Sequence, residues 1–271
     1  MNHMMKVFGL VLALITTPVA AEVRQERLTG PTSVESGGRI VSCTEDREWC
    51  VTMAFETDPD KLAYFVDVKR PIGPSSSASI ENFELSSSDG AELWGDPVSY
   101  STPNGQRGLL FGIVMNRSES YSGGGASERK LQFFKAEPKD ANILSVSSIG
   151  DPISFGASSM IRACFSEEDQ QLRRNICHDE YDLNVTLRLK PTLVNDLPAF
   201  LYISKETTTP GFASRDQDNS DAARLRTMKA ADFKPRADRR CTFTRQLQVN
   251  ARRTIYSLKV PDCSAYGPMR Q

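Results

Sequence analysis

The sequence predicts a mainly β protein, with antiparallel strands in two packed sandwich-like modules and one or two short helices. Three observations carry that prediction. Apolar residues recur with a period of two in segment after segment, helical periodicity is confined to short stretches, and six cysteines fall into three neighbouring pairs along the chain. The 271 residues are 39% hydrophobic and 25% charged, the composition of an ordinary soluble globular protein rather than a disordered or multi-span membrane chain. The two histidines are His3 and His178. Removal of an N-terminal leader takes the first, so a mature site needing two imidazoles from one chain is excluded.

That leader is residues 1–21. Lys6 supplies a positive start, Val7 to Ile15 an apolar run, and Val19-Ala20-Ala21 small residues before a cut at Glu22, the pattern of an export signal peptide. The run is too short to span a hydrocarbon core of about 30 Å. No later stretch is apolar enough to span either, so no integral membrane segment is expected after signal removal. The expected address is periplasmic or secreted.

Residues 22–152 read as the first β module. Trp49-Val51-Met53-Phe55 and Leu62-Tyr64-Val66-Val68 alternate as half-buried strands do, and weaker strands are expected near Ile80 to Leu85 and Leu93 to Tyr100. Leu109 to Met115 is apolar on both faces apart from Gly112, which marks a central strand covered on both sides. Arg70 to Ala78, with its prolines and serines, is a flexible connection. Ser118 to Ser127 separates two strong strands and reads as the mobile tip of a long hairpin. Its residues Tyr121, Ser122, Gly123, Gly124 and Gly125 are the candidate contact loop.

Residues 153–271 read as the second β module. Ser166-Glu167-Glu168-Asp169 resembles a capping box and predicts a helical turn or two between Cys164 and Cys177. In Tyr181 to Lys190, Leu183, Val185, Leu187 and Leu189 share one face, and a further strand follows over Leu197 to Lys205. Lys205 to Asp221 is a second exposed loop, and a thin-faced helix is expected from Asp221 to Phe233. Phe243, Leu247 and Val249, then Tyr256, Leu258 and Val260, close the strand series. Without long helices between strands there are no βαβ units, and with them go dinucleotide-binding and phosphate-loop folds. The order strand, cysteine, acidic loop, cysteine, strand, strand occurs twice, from Ile40 to Lys69 and from Ile161 to Lys205, which suggests an internal repeat.

An oxidising compartment lets disulfides persist, and local order pairs Cys43 with Cys50, Cys164 with Cys177 and Cys241 with Cys263. Zinc would prefer cysteines two to four residues apart, and there is no Cys-x-x-Cys for redox work. No metal and no cofactor is expected. His178, beside Asp179 and Glu180, is read as a loop histidine next to a disulfide rather than a general base. No Gly-x-Ser-x-Gly elbow is present. The triple glycine lacks the following helix that a phosphate cradle needs. Clusters Glu45, Asp46, Glu48 and Glu167, Glu168, Asp169 could supply the two carboxyl groups of a glycosidase, but sit in disulfide loops where solvated charge is usual. No catalytic residue is assigned. From Asp221 onward 12 Lys and Arg face 4 Asp, a net of +8, against −10 for residues 22–220. The preferred reading is docking of this basic part on acidic parts of the same chain or a solvated face, and nucleic acid is not an expected partner.

The string Ser120 to Gly125, with Ile161-Arg162-Ala163-Cys164-Phe165-Ser166-Glu167 and Cys177-His178-Asp179-Glu180-Tyr181, resembles a group of uncharacterised exported proteins of Gram-negative bacteria, over most of the mature chain. The resemblance implies a periplasmic address and transfers no activity and no functional residue. The first-ranked function is a disulfide-stabilised, non-catalytic binding or envelope-interaction module, with an envelope protein or glycan of unknown identity as partner. The alternative is a hydrolase acting on envelope polymers through paired carboxylates.

Overall fold

The computed structural model describes residues 22–32, 38–58, 61–70, 76–84, 90–102, 105–140, 143–215, 217–250, 255–257 and 263. The expected signal peptide, most of the Arg70 to Ala78 connection, and Leu258 and Val260 lie outside them. In chain order the elements are β1 (Val23–Gln25), β2 (Leu28–Thr29), β3 (Arg39–Thr44), β4 (Cys50–Asp58), β5 (Lys61–Arg70), β6 (Ser76–Glu84), β7 (Gly90–Leu93) and β8 (Val98–Ser101). The long strands β9 (Arg107–Tyr121), β10 (Gly124–Pro138) and β11 (Leu144–Arg162) follow, then α1 (Glu167–Leu172), β12 (His178–Val194), β13 (Leu197–Thr209), α2 (Ala222–Thr227), β14 (Phe243–Gln246), β15 (Gln248–Asn250) and β16 (Ile255–Ser257).

The fold class is as expected: a nine-stranded antiparallel sheet in the order β1-β8-β9-β10-β11-β12-β13-β14, with β7 also on β9, a five-stranded antiparallel sheet β2 to β6, and the pair β15-β16. Strand β9 explains how the sheets combine. Leu109, Phe111 and Ile113 point into a core completed by Trp49, Val51, Met53, Val66 and Val68 of the smaller sheet and its connections. Leu110 and Val114 point the other way, into a second core with Trp94, Phe133, Phe200 and Tyr202. The sheet curls so that β12 touches β1 and β13 touches β8, which closes this second core. Gly112 permits a close approach in this core: a Cβ there would lie 2.5 Å from Leu131 Cδ1 and 3.3 Å from Trp94 Cβ.

Several boundaries differ from the expectation. Leu93 to Tyr100 is two strands, β7 and β8, that pair with successive stretches of β9. The hairpin tip is only Ser122-Gly123, because pairing runs unbroken from Ala136↔Leu109 to Gly124↔Tyr121. Weak strand propensity in the Ser, Glu and Gly residues there is overridden by neighbours on both sides of β10. Strand β13 likewise continues to Thr209, and α2 stops at Thr227. Strand β11 runs through Pro152 and Ile153. The two segments read as a repeat fold as β3-β4-β5 and the end of β11 with β12 and β13, each a meander whose first hairpin carries a disulfide. From the basic C-terminal part, Arg226 donates to Glu168 at 2.8 Å and Arg236 exchanges backbone bonds with Thr208. No helix among the described residues is long and apolar enough to cross a membrane.

Candidate functional site

The three disulfides form in the expected pairs, Cys43–Cys50, Cys164–Cys177 and Cys241–Cys263. The second shapes the end of the large sheet. It closes the connection between β11 and β12, where Ala163 N–H donates to the Cys177 carbonyl at 2.9 Å. The Ser166 hydroxyl caps α1 by accepting from Asp169 N–H at 3.1 Å, and the Asp169 carboxylate accepts from Phe165 N–H at 2.9 Å. Phe165 is thereby held between a disulfide and a capped helix, yet its side chain is 71% exposed. The Arg162 guanidinium lies 5.4 Å from the Phe165 ring centroid, and its Nε donates to the Cys164 carbonyl at 2.9 Å.

The hairpin tip lies alongside. Arg162 N–H donates to the Gly123 carbonyl at 2.6 Å, and the Tyr121 hydroxyl donates to the Met160 carbonyl at 3.1 Å. Gly124 is required there, since a Cβ would collide with the Met160 carbonyl and lie 2.8 Å from Tyr121 Cε2. Tyr121, Met160 and Phe165 are three of the five large apolar side chains that are exposed among the described residues, the others being Val41 and Ile143.

The loop after β13 lines a cavity together with the end of β11, the start of β12 and Phe165. Asn219 clamps the loop: its Nδ2 donates to the Ser214 carbonyl and to Asp179 Oδ2, each at 2.9 Å, while its Oδ1 accepts from Ser214 N–H at 3.0 Å. Behind Asp179 lies Arg173, fully buried, which donates to Asp179 Oδ1 and, at 2.7 Å, to the Asn219 carbonyl. Arg215 donates to the Ser159 hydroxyl and covers the Tyr181 ring at 5.2 Å. The cavity has a volume of about 250 Å³ and is reached by Arg162, Phe165, Tyr181, Gln217 and Asp218. A second, shallower groove of about 340 Å³ runs along Ser118, Ser127, Ser158, Met160, Glu180 and Asp182.

Burial, reinforced by the Asp179 carboxylate, pushes the Tyr181 hydroxyl up to about 12 against the opposing Asn219, Arg215 and Arg173. Burial does the same to Tyr202 in the second core, also to about 12. Both phenols are raised from 10.0, so their contribution to stability is complete below pH 10 and is lost as pH rises through the folded value. A series of urea midpoints should therefore decline between pH 10 and about 12, and a flat series over that window would show these hydroxyls to be unperturbed.

The sequence-flagged residues are brought together only in part. The tip touches the cavity region through Arg162, whose N–H bonds the Gly123 carbonyl; the loop before Asp221 lines the cavity, whereas Tyr121 to Gly125 do not, and Gly125 lies on the second groove. His178 is exposed and pairs across from Arg162. The two carboxylate clusters sit apart in the connectivity, one in the β3–β4 turn and one on α1. Although burial opposes it, bonds from Thr44 and Glu48 N–H, with Arg107 and Arg24 nearby, hold Asp46 below the usual carboxylate range. Glu48 pairs with Arg70 at 2.6 Å and with Arg107. Asp169 is held low by Phe165 N–H and Ser166. Among the described residues no three His, Cys, Asp or Glu side chains converge as metal ligands would. Phe165, Arg162 and the Arg173–Asp179–Asn219 network were not singled out as site residues. The one signal in the sequence is a large apolar residue directly after Cys164, ahead of the polar run Ser166 to Gln171. Compared with protein-family models, curated proteins and solved structures, the chain matches none.

Proposed function

We propose that this is an exported, non-catalytic binding protein, periplasmic or secreted, that engages an envelope protein or glycan through the end of the large sheet. The observation that carries the reading is the exposed Phe165 ring, held between a disulfide and a capped helix and covered by Arg162, on a strand end where Met160 and its partner Tyr121 are exposed as well. Binding energy concentrates in a few well-held aromatic anchors, and an aromatic side chain ordered in advance loses little entropy on contact. Export is supported by the signal-like start and by disulfides of the kind that persist in oxidising compartments. The competing hydrolase reading needs a carboxylic acid held protonated beside a second carboxylate; Asp46 and Asp169 are held low and so do not fill the acid's place, and the two clusters lie on separate elements.

The test is capture from an envelope extract with the oxidised mature protein as bait. Phe165→Ala should weaken capture by about 2 kcal/mol or more, roughly 30-fold in Kd, with the unfolding midpoint unchanged because the ring is exposed. Equal capture by the variant, or none by the parent protein, overturns the reading.

A further inference from the structure

We infer that the cavity beside Phe165 takes one ring of a neutral sugar, a terminal or internal unit of a glycan chain. The inference rests on the binding reading above and narrows its ligand to a chemical class. The cavity, at about 250 Å³, is smaller than the roughly 300–1,000 Å³ of sites that hold drug-sized ligands, and so suits a single ring. Its floor is fixed by the Asn219 clamp and the buried Arg173–Asp179 pair, which leaves the shape formed before a ligand arrives.

The groups left over for a ligand decide its chemistry. Among the described residues, Arg162 uses only its Nε on the protein, so its two terminal nitrogens remain as donors. Asp218 accepts from Ser220 N–H at 2.9 Å and Ser220 Oγ at 2.7 Å, both at Oδ1, so Oδ2 remains as an acceptor. The Gln217 amide, also on the wall, offers both functions. Phe165 has Arg162 over its ring and is still 71% exposed. A sugar hydroxyl donates and accepts at once, and a pyranose presents a face of C–H groups that stacks on an aromatic ring. Donor, acceptor, amide and apolar face are what such a ring uses. An anion is disfavoured because the Asp218 carboxylate, held ionised by its bonds from Ser220, faces the same space as Arg162, while Arg215, the other guanidinium on the wall, is engaged with the Ser159 hydroxyl and the Tyr181 ring. A cation is disfavoured by the Arg162 guanidinium in turn.

The experiment measures saturation-transfer NMR and calorimetric titration of the oxidised mature protein with the methyl β-glycosides of glucose, galactose and N-acetylglucosamine, and with inorganic phosphate. At least one glycoside should saturate, and Phe165→Ala and Gln217→Ala should each reduce its affinity, on the order of tenfold for Phe165, without moving the unfolding midpoint. A glycoside that binds both variants as well as the parent sits elsewhere and overturns the assignment, as does saturation by phosphate alone. If no glycoside binds while envelope capture still depends on Phe165, the sugar inference falls and the binding reading stands. If capture fails too, both fall.

Discussion

Replacing Asp179 with alanine should cost the fold about 3–5 kcal/mol, because it strands a buried guanidinium. Arg173 is 0% exposed and Asp179 3% exposed. The Arg173 Nε donates to the Ile176 carbonyl at 3.0 Å and one terminal nitrogen to the Asn219 carbonyl at 2.7 Å, while the other meets Asp179. Without the carboxylate those two carbonyls cannot balance the charge, and Asn219 also loses an acceptor. The pair itself is a different matter, since replacing both members of a buried ion pair by apolar side chains of similar volume is often neutral or stabilising. Arg173→Met with Asp179→Leu should therefore recover most of the loss. Chemical unfolding of the three proteins checks this. A loss below about 1 kcal/mol for Asp179→Ala, or a double variant no better than the single one, would mean that the charge finds water or another partner. The same substitution loosens the floor of the cavity, so any ligand affinity should fall with it.

What was legible in the sequence is what depends on local pattern. The alternation at Trp49, Val51 and Met53 put those side chains on one face, and all three are buried in the first core. The doubly apolar run at Leu109 to Met115 marked a strand covered on both sides, and its residues divide between two cores as the period of two demands. Cys43–Cys50 and Cys164–Cys177 each close a connection between strands that pair with one another, which is why neighbours along the chain became partners, whereas Cys241–Cys263 spans β14, β15 and β16. The site was less legible, for physical reasons. The tip at Tyr121 to Gly125 and the loop before Asp221 could each be seen as exposed, but that only the loop lines the cavity, against the ends of β11 and β12, is a long-range property. Phe165 was hidden because exposure of a large apolar residue is fixed by its neighbours. Here those are the Ser166 cap and the Asp169 carboxylate, which hold the backbone while the ring stays outside. The buried Arg173 had no signature at all, since its partner Asp179 lies beyond the disulfide and Asn219 comes from a different part of the chain.

Phe133→Ala and Phe134→Ala form the second large test, because neighbouring residues on one strand report on opposite cores. Phe133 lies in the second core, edge-on to Trp94 at 5.5 Å and stacked with Phe200 at 5.7 Å between centroids. Phe134 lies in the first, stacked on Phe111 at 5.4 Å. Both are at most 1% exposed, and truncating a buried phenylalanine costs about 3–5 kcal/mol through lost transfer energy and the cavity left behind. Strands β9 and β10 supply side chains to both cores, so neither core can open while those strands keep their packing in the other. Each substitution should therefore lower one and the same cooperative transition by a similar amount, in heat or in denaturant. The result that would sink this picture is two transitions, one shifted only by Phe133→Ala and the other only by Phe134→Ala. A shared wall has a consequence for the site as well. The tip of the β9–β10 hairpin is the far end of that wall, so the exposed Tyr121 stands on strands anchored by both cores and should remain ordered until the whole sheet unfolds.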